Sequence, residues 1–361
     1  MLTFGIEEEC FLVERTTLQP APIADLVRRG LPAMTAGGLV TSEFLASQIE
    51  RFTPILTEMD SATTDLSRFR AEMGAAPRLR GVIAIGVGTP FDASALPIVT
   101  EKERYRNVEN GIRGVLRDHQ ICATHIHMGV PSRDAGVRAL NRLRIWLPTL
   151  MALSGNSPFW RGSSTGFDSW RAVIMRRWTT TGCPSHFNDA ADYDRRIRRL
   201  VGVGATTDVA TVAWYGRLSE VHPTLEVRVA DAQLDVESRT LLAALTRGLV
   251  ATALDEAGRD IPPLTVEPEL LDAALWHAAR DGIRGNLLNP ATTELTPARE
   301  AITTMVRSIE GSLDDAGDQQ RVAESLEHLW RKGTGAQQQE RAFATKGRSG
   351  LSAFLETSFT S

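Results

Sequence analysis

Residues 3–13 of the chain, TFGIEEECFLV, place three consecutive glutamates inside an apolar stretch that is typical of a β-strand. Successive side chains of a strand point to opposite faces, so Glu7 and Glu9 share one face and Glu8 takes the other. Two carboxylates about 6–7 Å apart along a strand need water, arginine or a divalent cation. An exposed edge strand would supply water. The apolar residues on both sides favour a cation-binding catalytic site for Glu7 and Glu9 instead.

A second strand is predicted at 120–130, QICATHIHMGV, where His125 and His127 share one face. Two imidazoles at this spacing suit a metal ion or a phosphate group. Core histidines that are satisfied by hydrogen bonds would give the same pattern.

A third strand is predicted at 224–231, TLEVRVAD, with Glu226 and Arg228 on one face and apolar side chains on the other. One interpretation is an ion pair between neighbouring strands on the protein surface. The functional interpretation gives Glu226 to a cation and Arg228 to an anion such as phosphate.

Three strands that each present such a pair would give a sheet one concave, polar face. This face suits two or three Mg²⁺ ions and a nucleoside triphosphate, because Mg²⁺ bridges protein carboxylates and substrate phosphates. The chain has no GxxxxGK[ST] and no GxGxxG motif, so neither a P-loop nor a Rossmann site is expected. The KGTG segment at 332–335 lacks the P-loop spacing.

The composition is ordinary for a globular protein, with 42% hydrophobic and 23% charged residues. A net charge of -4 gives no basic excess for nucleic acid or an anionic membrane. No apolar run is long enough to span a bilayer, and the N-terminus does not resemble a signal peptide. Cys10, Cys122 and Cys183 form no CxxC pair, which fits a reduced cytoplasm.

The remaining segments predict a single α+β domain over residues 1–361 with an antiparallel or mixed sheet. Ser132 is a candidate cap for a long helix at 133–154, and a long loop rich in Gly, Ser and Thr follows at 155–187. The apolar helix at 236–256 could serve a homodimer interface as easily as the core. Further strands are predicted at 45–51 (or a short helix) and 80–88, and further helices at 62–74, 185–201, 266–281, 296–312 and 319–331.

Seven stretches together resemble the bacterial carboxylate–amine ligases of the glutamate–cysteine ligase type 2 family, in the order that the family shows. The block at 141–162 is the most specific. The stretches are GIEEE (5–9), SQIERFTP (47–54), HIHMGV (125–130), NRLRIWLPTLMALSGNSPFWRG (141–162), the region from Arg171 to Trp178, PTLEVRVAD (223–231) and KGTGAQQQ (332–339).

The resemblance implies a fold like the catalytic core of glutamine synthetase and the guanido kinases, in which a curved antiparallel sheet with flanking helices carries the ions and ATP. It also implies a reaction in which ATP, with Mg²⁺ or Mn²⁺, converts a carboxylate to an acyl phosphate that an amine then attacks. The substrates would be a small acid and a small amine.

The resemblance also implies roles for particular residues. Glu226 and Arg228 would be catalytic, with Arg228 and His127 contacting ATP. The expected metal ligands are Glu7, Glu9, Glu50, His125 and Glu226, and the expected substrate contacts are Arg171, Asn156, Trp160 and Trp178.

Two departures from the family pattern bear on the substrate. Arg51 and Phe52 follow Glu50 where small apolar residues are usual, and the segment 213–217 (AWYGR) differs from the expected Trp-Asp-Ile-Arg-like pattern. These positions are compatible with a specialised ligase. A metal-dependent hydrolase remains an alternative, because HxH with scattered acids also suits two-metal hydrolysis. A non-catalytic nucleotide-binding relative of the fold is the second alternative, and the presence of Glu7, Glu9, Glu50, Glu226 and Arg228 together argues against it.

Overall fold

The computed structural model describes residues 2–31, 34–35, 37–76 and 80–361. Its main element is an antiparallel sheet of eight strands, in agreement with the α+β fold class expected from the sequence. The strands of the chain are β1 (Phe4–Glu14), β2 (Met34–Thr35), β3 (Gly38–Ser42), β4 (Gln48–Phe52), β5 (Val82–Ile85), β6 (Ala123–Gly129), β7 (Phe159–Trp160), β8 (Ser163–Ser164), β9 (Gly216–Leu218), β10 (Thr224–Asp231), β11 (Asn286–Asn289) and β12 (Glu294–Pro297).

The helices flank this sheet and supply most of the core. In chain order they are α1 (Ala24–Gly30), α2 (Met59–Ala75), α3 (Glu103–Ile112), α4 (Arg133–Leu143), α5 (Leu147–Leu153), α6 (Trp170–Met175), α7 (Ala190–Gly202), α8 (Val236–Gly258), α9 (Pro268–Asp281), α10 (Ala298–Ser308), α11 (Glu310–Asp315), α12 (Gln319–Lys332) and α13 (Gly335–Phe359).

Strand β1 is the centre of the sheet, whose order is β2-β3-β4-β1-β6-β10-β9. Its first half pairs with β4 on one side and β6 on the other, and its last residues pair with β5. β7–β8 and β11–β12 form two small separate hairpins. Because β1 has neighbours on both edges, the acidic run lies in the interior of the sheet, and the alternative of an exposed edge strand is wrong.

One face of β1 packs on helices and carries the main hydrophobic core. Phe4 and Ile6 are buried there together with Ile126 and Met128 of β6 and the apolar side of α8. Burial of these large side chains stabilises the fold by about 25 cal/mol for each Å² of apolar surface that is removed from water. The helix of 236–256 is therefore a core element of this chain.

The opposite face is covered over only part of its length. Phe11 and Val13 of β1 pack there against Leu351 and Leu355 of α13. The sequence patterning did not predict α13. Thr334 begins it as a cap, because its hydroxyl accepts a hydrogen bond from the backbone N–H of Gln337. The KGTG segment is thus a helix start, and the open half of the face, around residues 7 to 9, is the site described below.

The helix predicted over 133–154 is interrupted. Ser132 caps α4 as expected, accepting a hydrogen bond from the N–H of Ala135 at 3.1 Å. A 3₁₀ turn at Arg144–Trp146 then separates α4 from α5. Pro148 lies in the first turn of α5, where its missing N–H is tolerated; the same proline inside one continuous helix would remove a hydrogen bond.

Glu8 is fully buried on the helix side of the sheet and joins three elements. Its Oε1 lies 2.6 Å from Nε of Arg70 in α2 and 2.6 Å from Nη1 of Arg239 in α8. Burial alone would raise the pKa of Glu8, but the charges of Arg239 and Arg70 outweigh it and lower that pKa. A neighbouring buried pair, Arg51 with Asp65 at 2.6 Å, ties β4 to α2 in the same layer.

Replacement of Glu8 by Gln should destabilise the fold by ~3–5 kcal/mol, because two buried guanidinium groups lose their carboxylate. Glu14→Gln, at the exposed end of the same strand, is the matched control and should leave the free energy of unfolding close to that of the wild type. Urea denaturation of the three proteins measures this quantity. Equal stabilities for the two variants would show that Glu8 does not hold the sheet to its helices.

Candidate active site

Strand register brings the sequence-predicted residues of four segments together on the open face. Across β1 and β6, Glu7 lies opposite His125, and across β1 and β4, Glu9 lies opposite Glu50. Glu226 lies opposite His127 in the pairing of β10 with β6. Five predicted metal ligands and both predicted ATP contacts therefore share one patch, in agreement with the parity expected from the sequence.

Glu7 bridges the two histidines. Its Oε2 accepts a hydrogen bond from Nδ1 of His125, and its Oε1 accepts one from Nε2 of His127, both at 2.7 Å. Burial alone would raise the pKa of Glu7, but the two histidine contacts together hold it well below its usual range. Glu7 is therefore an anion at neutral pH with both oxygens aimed into the site.

His125 and His127 have different electrostatic surroundings although they share the same carboxylate. Burial and the nearby charge of Arg228 lower the pKa of His125 to about 4, so its ring is neutral and can donate an electron pair to a metal ion. Burial would lower the pKa of His127 as well, but the hydrogen bond to Glu7 and the charge of Glu226 raise it. Nδ1 of His127 is 2.9 Å from the hydroxyl of Thr224, which orients this ring.

Glu226 lies between two arginines. Nε of Arg217 donates to its Oε2 at 2.8 Å, and Arg228 donates to its Oε1. Burial opposes ionisation of Glu226, but the charges of Arg228 and Arg217 outweigh it and lower its pKa. Arg217 also donates to the carbonyl of Val212, so it connects the segment before β9 to the site.

The β4 side of the site has an excess of carboxylates. Burial and the neighbouring Glu43 raise the pKa of Glu9 to about 8. Burial, then Glu43 and Glu7, raise the pKa of Glu50 well above its usual range. Glu9 also accepts a backbone hydrogen bond from Ala123 at 2.7 Å, which fixes its carboxylate. Such a cluster of like charges is relieved by protonation or by a cation.

Two groups of ligand atoms have the spacing that a metal ion needs. One is Glu7, Glu50 and His125, and the other is Glu7, His127 and Glu226; within each group the atoms lie within 4.8 Å of one another. The two carboxylates of each group suit Mg²⁺ or Mn²⁺, and the single imidazole is a ligand that first-row transition-metal cations accept. The donor set therefore fits divalent cations, and Glu7 belongs to both groups.

A cleft opens beside these residues and encloses about 850 Å³, counting the space open to solvent. Glu9, His125 and Arg228 lie at its polar end. Of the predicted substrate contacts, Arg171 and Trp178 line this cleft. Arg171 of α6 is buried, and it donates to the backbone carbonyls of Arg228 and Val229 at 3.0 and 3.2 Å.

Asn156 and Trp160 are placed elsewhere. Asn156 is fully buried and its side-chain amide donates to the carbonyls of Gly86 and Ala232, while its Oδ1 accepts from Gln339 at 2.6 Å. It therefore anchors α13, and the structure does not bring it to the cleft. Trp160 lies in the β7–β8 hairpin and is not among the residues that line the cleft.

The structure shows where the residues that depart from the family pattern lie. Arg51 points to the helix side and pairs with Asp65, so it does not reach the site. Phe52 lies opposite Glu7 in the pairing of β1 with β4, on the open face. In the segment 213–217, Arg217 supports Glu226 and Ala213 lines the cleft.

Sequence reasoning missed Glu43, Arg217 and His119 as site residues. Glu43 and His119 stand in irregular segments where strand parity carries no information, and only the folded chain brings them to the cleft. Arg217 does have a signal: its strand β9 pairs with β10, and Arg217 lies opposite Glu226.

The chain is similar in sequence to one family over nearly its whole length. The model of the glutamate-cysteine ligase family 2 matches residues 3–354. A protein of Saccharopolyspora erythraea with the name "Putative glutamate--cysteine ligase 2-2" is 36% identical over 349 residues, which cover 96% of this chain and 89% of the relative. A relative of the same name from Frankia alni is 37% identical over 359 residues, covering 96% and 94%.

Two solved structures are similar in fold. The glutamate–cysteine ligase of Francisella tularensis, determined in complex with AMP, has a TM-score of 0.67 at 13% identity and covers 99% of this chain and 88% of its own. A bifunctional glutathione synthetase from Pasteurella multocida has a TM-score of 0.65 at 14% identity, covering 99% and 52%. The antiparallel sheet with flanking helices is thus confirmed. In the described part of the chain, every helix is too short or too polar to cross a membrane.

The charge cluster predicts how stability depends on pH and on cations. Because the pKa of Glu9 is about 8 in the folded chain and near its ordinary value after unfolding, the folded state holds more protons between these values. Glu50 and His127 act in the same direction. His125, whose pKa is about 4 in the folded chain and ordinarily 6.5, acts in the opposite direction, but only below about pH 6.5. The melting temperature of the metal-free protein should therefore fall as pH rises from about 6.5 to 8.

Millimolar Mg²⁺ or Mn²⁺ should offset this loss, so the cation should raise the melting temperature more at the upper end of the range than at the lower end. The double variant Glu9→Gln, Glu50→Gln should show a flatter pH dependence and a smaller cation effect. Thermal melts followed by circular dichroism measure both. A wild-type melting temperature that is insensitive to pH and to cations would contradict the assigned charges.

Proposed function

This chain belongs to the glutamate–cysteine ligase family 2, and from that premise we propose that it uses Mg²⁺-ATP to join a carboxylate to an amine through an acyl phosphate. As a member of this family it is an ATP-dependent carbon–nitrogen ligase. The observation that carries the proposal is the position of Glu7, whose carboxylate belongs to both groups of candidate cation ligands.

The proposed cation ligands are Glu7, Glu50 and His125 in one group, and Glu7, His127 and Glu226 in the other. Glu9 lies against the first group, with its Oε1 3.9 Å from Nε2 of His125. When bound there, divalent cations neutralise the charge of the ATP phosphates. Hard oxygen ligands and phosphates are the partners that Mg²⁺ prefers.

Arg228 is the proposed contact of the transferred phosphoryl group. Its guanidinium is held by Glu226 at the polar end of the cleft, with Nη1 3.3 Å from Nδ1 of His125. A fixed guanidinium suits the developing charge on equatorial phosphate oxygens. Arg217 would act by positioning, since it orients Glu226 from the opposite side.

In the proposed reaction, a carboxylate oxygen of the acid attacks the γ-phosphorus of ATP, and the bond to ADP breaks. The amine nitrogen then attacks the carbonyl carbon of the acyl phosphate, loses a proton and displaces phosphate. The products are an amide, ADP and phosphate. The cleft beside Glu9 and Arg228 is the space in which both substrates would meet.

ADP release from Mg²⁺-ATP that depends on both an acid and an amine tests this proposal. The γ-carboxylate of glutamate with cysteine is the first pair to test, because relatives of this chain carry that name. Release that needs both substrates supports a ligase, and release with water alone indicates a hydrolase. Binding of Mg²⁺-ATP without ADP formation from any pair of a broad acid and amine panel would contradict the ligase proposal.

Glu9→Gln and Glu226→Gln should each lower kcat by on the order of 10²–10³, because an amide cannot supply the negative charge that a bound cation or Arg228 would meet at the reacting centre. Glu14→Gln, on β1 but at its exposed end, should keep wild-type activity. Steady-state ADP release with saturating ATP measures this effect, and far-ultraviolet circular dichroism checks folding. Near-wild-type turnover of a folded Glu9→Gln or Glu226→Gln variant would remove that residue from the site.

A further inference from the structure

Four aromatic rings line one part of the cleft. Tyr105 of α3, Phe44 between β3 and β4, His119 after the 3₁₀ turn Arg113–Asp118, and Trp178 after α6 all line the cleft. We call these four residues the aromatic wall. Four separate segments of the chain converge on it, and neither the candidate cation ligands nor Arg228 belong to it.

The rings of the aromatic wall contact one another in sequence. Phe44 packs edge-to-face on Tyr105, with centroids 5.7 Å apart, and on His119, with centroids 5.9 Å apart. His119 and Trp178 have centroids 5.0 Å apart, and Nε1 of Trp178 donates to Nδ1 of His119 at 3.1 Å. These contacts hold the rings in one arrangement before a ligand arrives, which lowers the entropic cost of binding.

The four rings themselves carry no charge, and aliphatic side chains line the cleft beside them. Burial, with the charges of Arg171 and Arg177, lowers the pKa of His119 to about 4, so the ring carries no charge at neutral pH. Val108, Ile121 and Met175 line the cleft beside the rings. Trp178 and Tyr105 are only partly buried, so apolar surface remains open to the cleft.

Glu9, His125 and Arg228 line the polar end of the cleft, next to the candidate cation ligands. Glu43 and Arg104 also line the cleft, and Glu43 accepts a hydrogen bond from the hydroxyl of Tyr105 at 3.3 Å. A substrate whose reacting group lies at this end would extend its remainder toward the aromatic wall. A short polar side chain would leave the rings against water, whereas a planar apolar group would cover them.

We propose that one substrate of this enzyme carries an aromatic group, which packs against Tyr105, Phe44, His119 and Trp178 while its carboxylate or amine reacts at the polar end of the cleft. This inference rests on the proposed ligase function and specifies its substrate class. The aromatic group belongs either to the acid or to the amine, and the two sources are separated by the experiment below.

The test compares matched substrates in the ADP-release assay with the full chain and Mg²⁺-ATP. The acid arm sets phenylacetate and cinnamate against acetate and glutamate, each with the amine panel. The amine arm sets phenethylamine and phenylalanine against ethylamine and cysteine, each with the acid panel. A preference for aromatic members in either arm is the expected result and identifies the source of the ring. Acid- and amine-dependent ADP release without any aromatic preference would overturn the inference and leave the ligase function intact.

Variants of the aromatic wall distinguish a substrate contact from a packing role. Trp178→Ala should lower kcat/KM for the aromatic substrate by roughly 10- to 100-fold and change it little for the aliphatic counterpart. Trp178→Phe should retain most of the preference, since it keeps a ring. Trp330→Ala, in which a partly buried tryptophan is removed from α12 away from the cleft, is the matched control. Equal losses for aromatic and aliphatic substrates in Trp178→Ala would assign these rings to packing alone.

Ligand-observed nuclear magnetic resonance keeps the inference testable without turnover. Saturation transfer to phenylacetate and phenethylamine should be seen with the wild type and with Trp330→Ala, and it should be lost with Trp178→Ala. Absence of transfer to every aromatic probe would overturn the inference. If the probes bind but no pair releases ADP, the ligase proposal fails while the aromatic site stands.

Discussion

The buried ion pairs of Glu8 with Arg70 and Arg239 fix which face of β1 looks into the cleft. A strand that slipped by one residue would turn Glu7 and Glu9 toward the helices and leave both arginines without their carboxylate. The cost of that arrangement secures the register of the central strand. Because β4 and β6 pair with β1, the same register places Glu50 and His125 beside Glu9 and Glu7. The arrangement of the candidate site on the open face therefore depends on the ion pairs of Glu8 on the helix side of the sheet.

The open face has two electrostatic zones. Near β10, Glu226 is compensated by Arg217 and Arg228 and has a lowered pKa. Near β4, Glu9 and Glu50 lack comparable arginine partners in the described structure and have raised pKa values. A bound cation would therefore relieve the most repulsion between carboxylates on the β4 side. Arginines on the β10 side are placed for anions, and a metal-bound nucleotide carries both kinds of charge.

Strand alternation made most of the site predictable from the sequence. Each of the pairs at 7 and 9, at 125 and 127, and at 226 and 228 lies two residues apart, and the fold places all three on one face as parity required. Strand alternation gives no information about residues in irregular segments. Glu43 and His119 reach the cleft only through tertiary structure, and Asn156 proved to anchor α13 through hydrogen bonds that no local pattern encodes. The sequence predicted a helix at 133–154, but it did not predict the 3₁₀ turn that interrupts this helix just before Pro148.

The shared role of Glu7 is the central claim, and counting bound Mn²⁺ tests it most directly. Electron paramagnetic resonance of the full chain, titrated with Mn²⁺ in the presence of a non-hydrolysable ATP analogue, reports both the number of bound ions and their magnetic coupling. If Glu7 serves both groups of ligands, the wild type should bind at least two coupled ions, one for each group, and Glu7→Gln should lose this coupled signal. A Glu7→Gln protein that binds the same number of Mn²⁺ ions with the same coupling would contradict the shared role of Glu7.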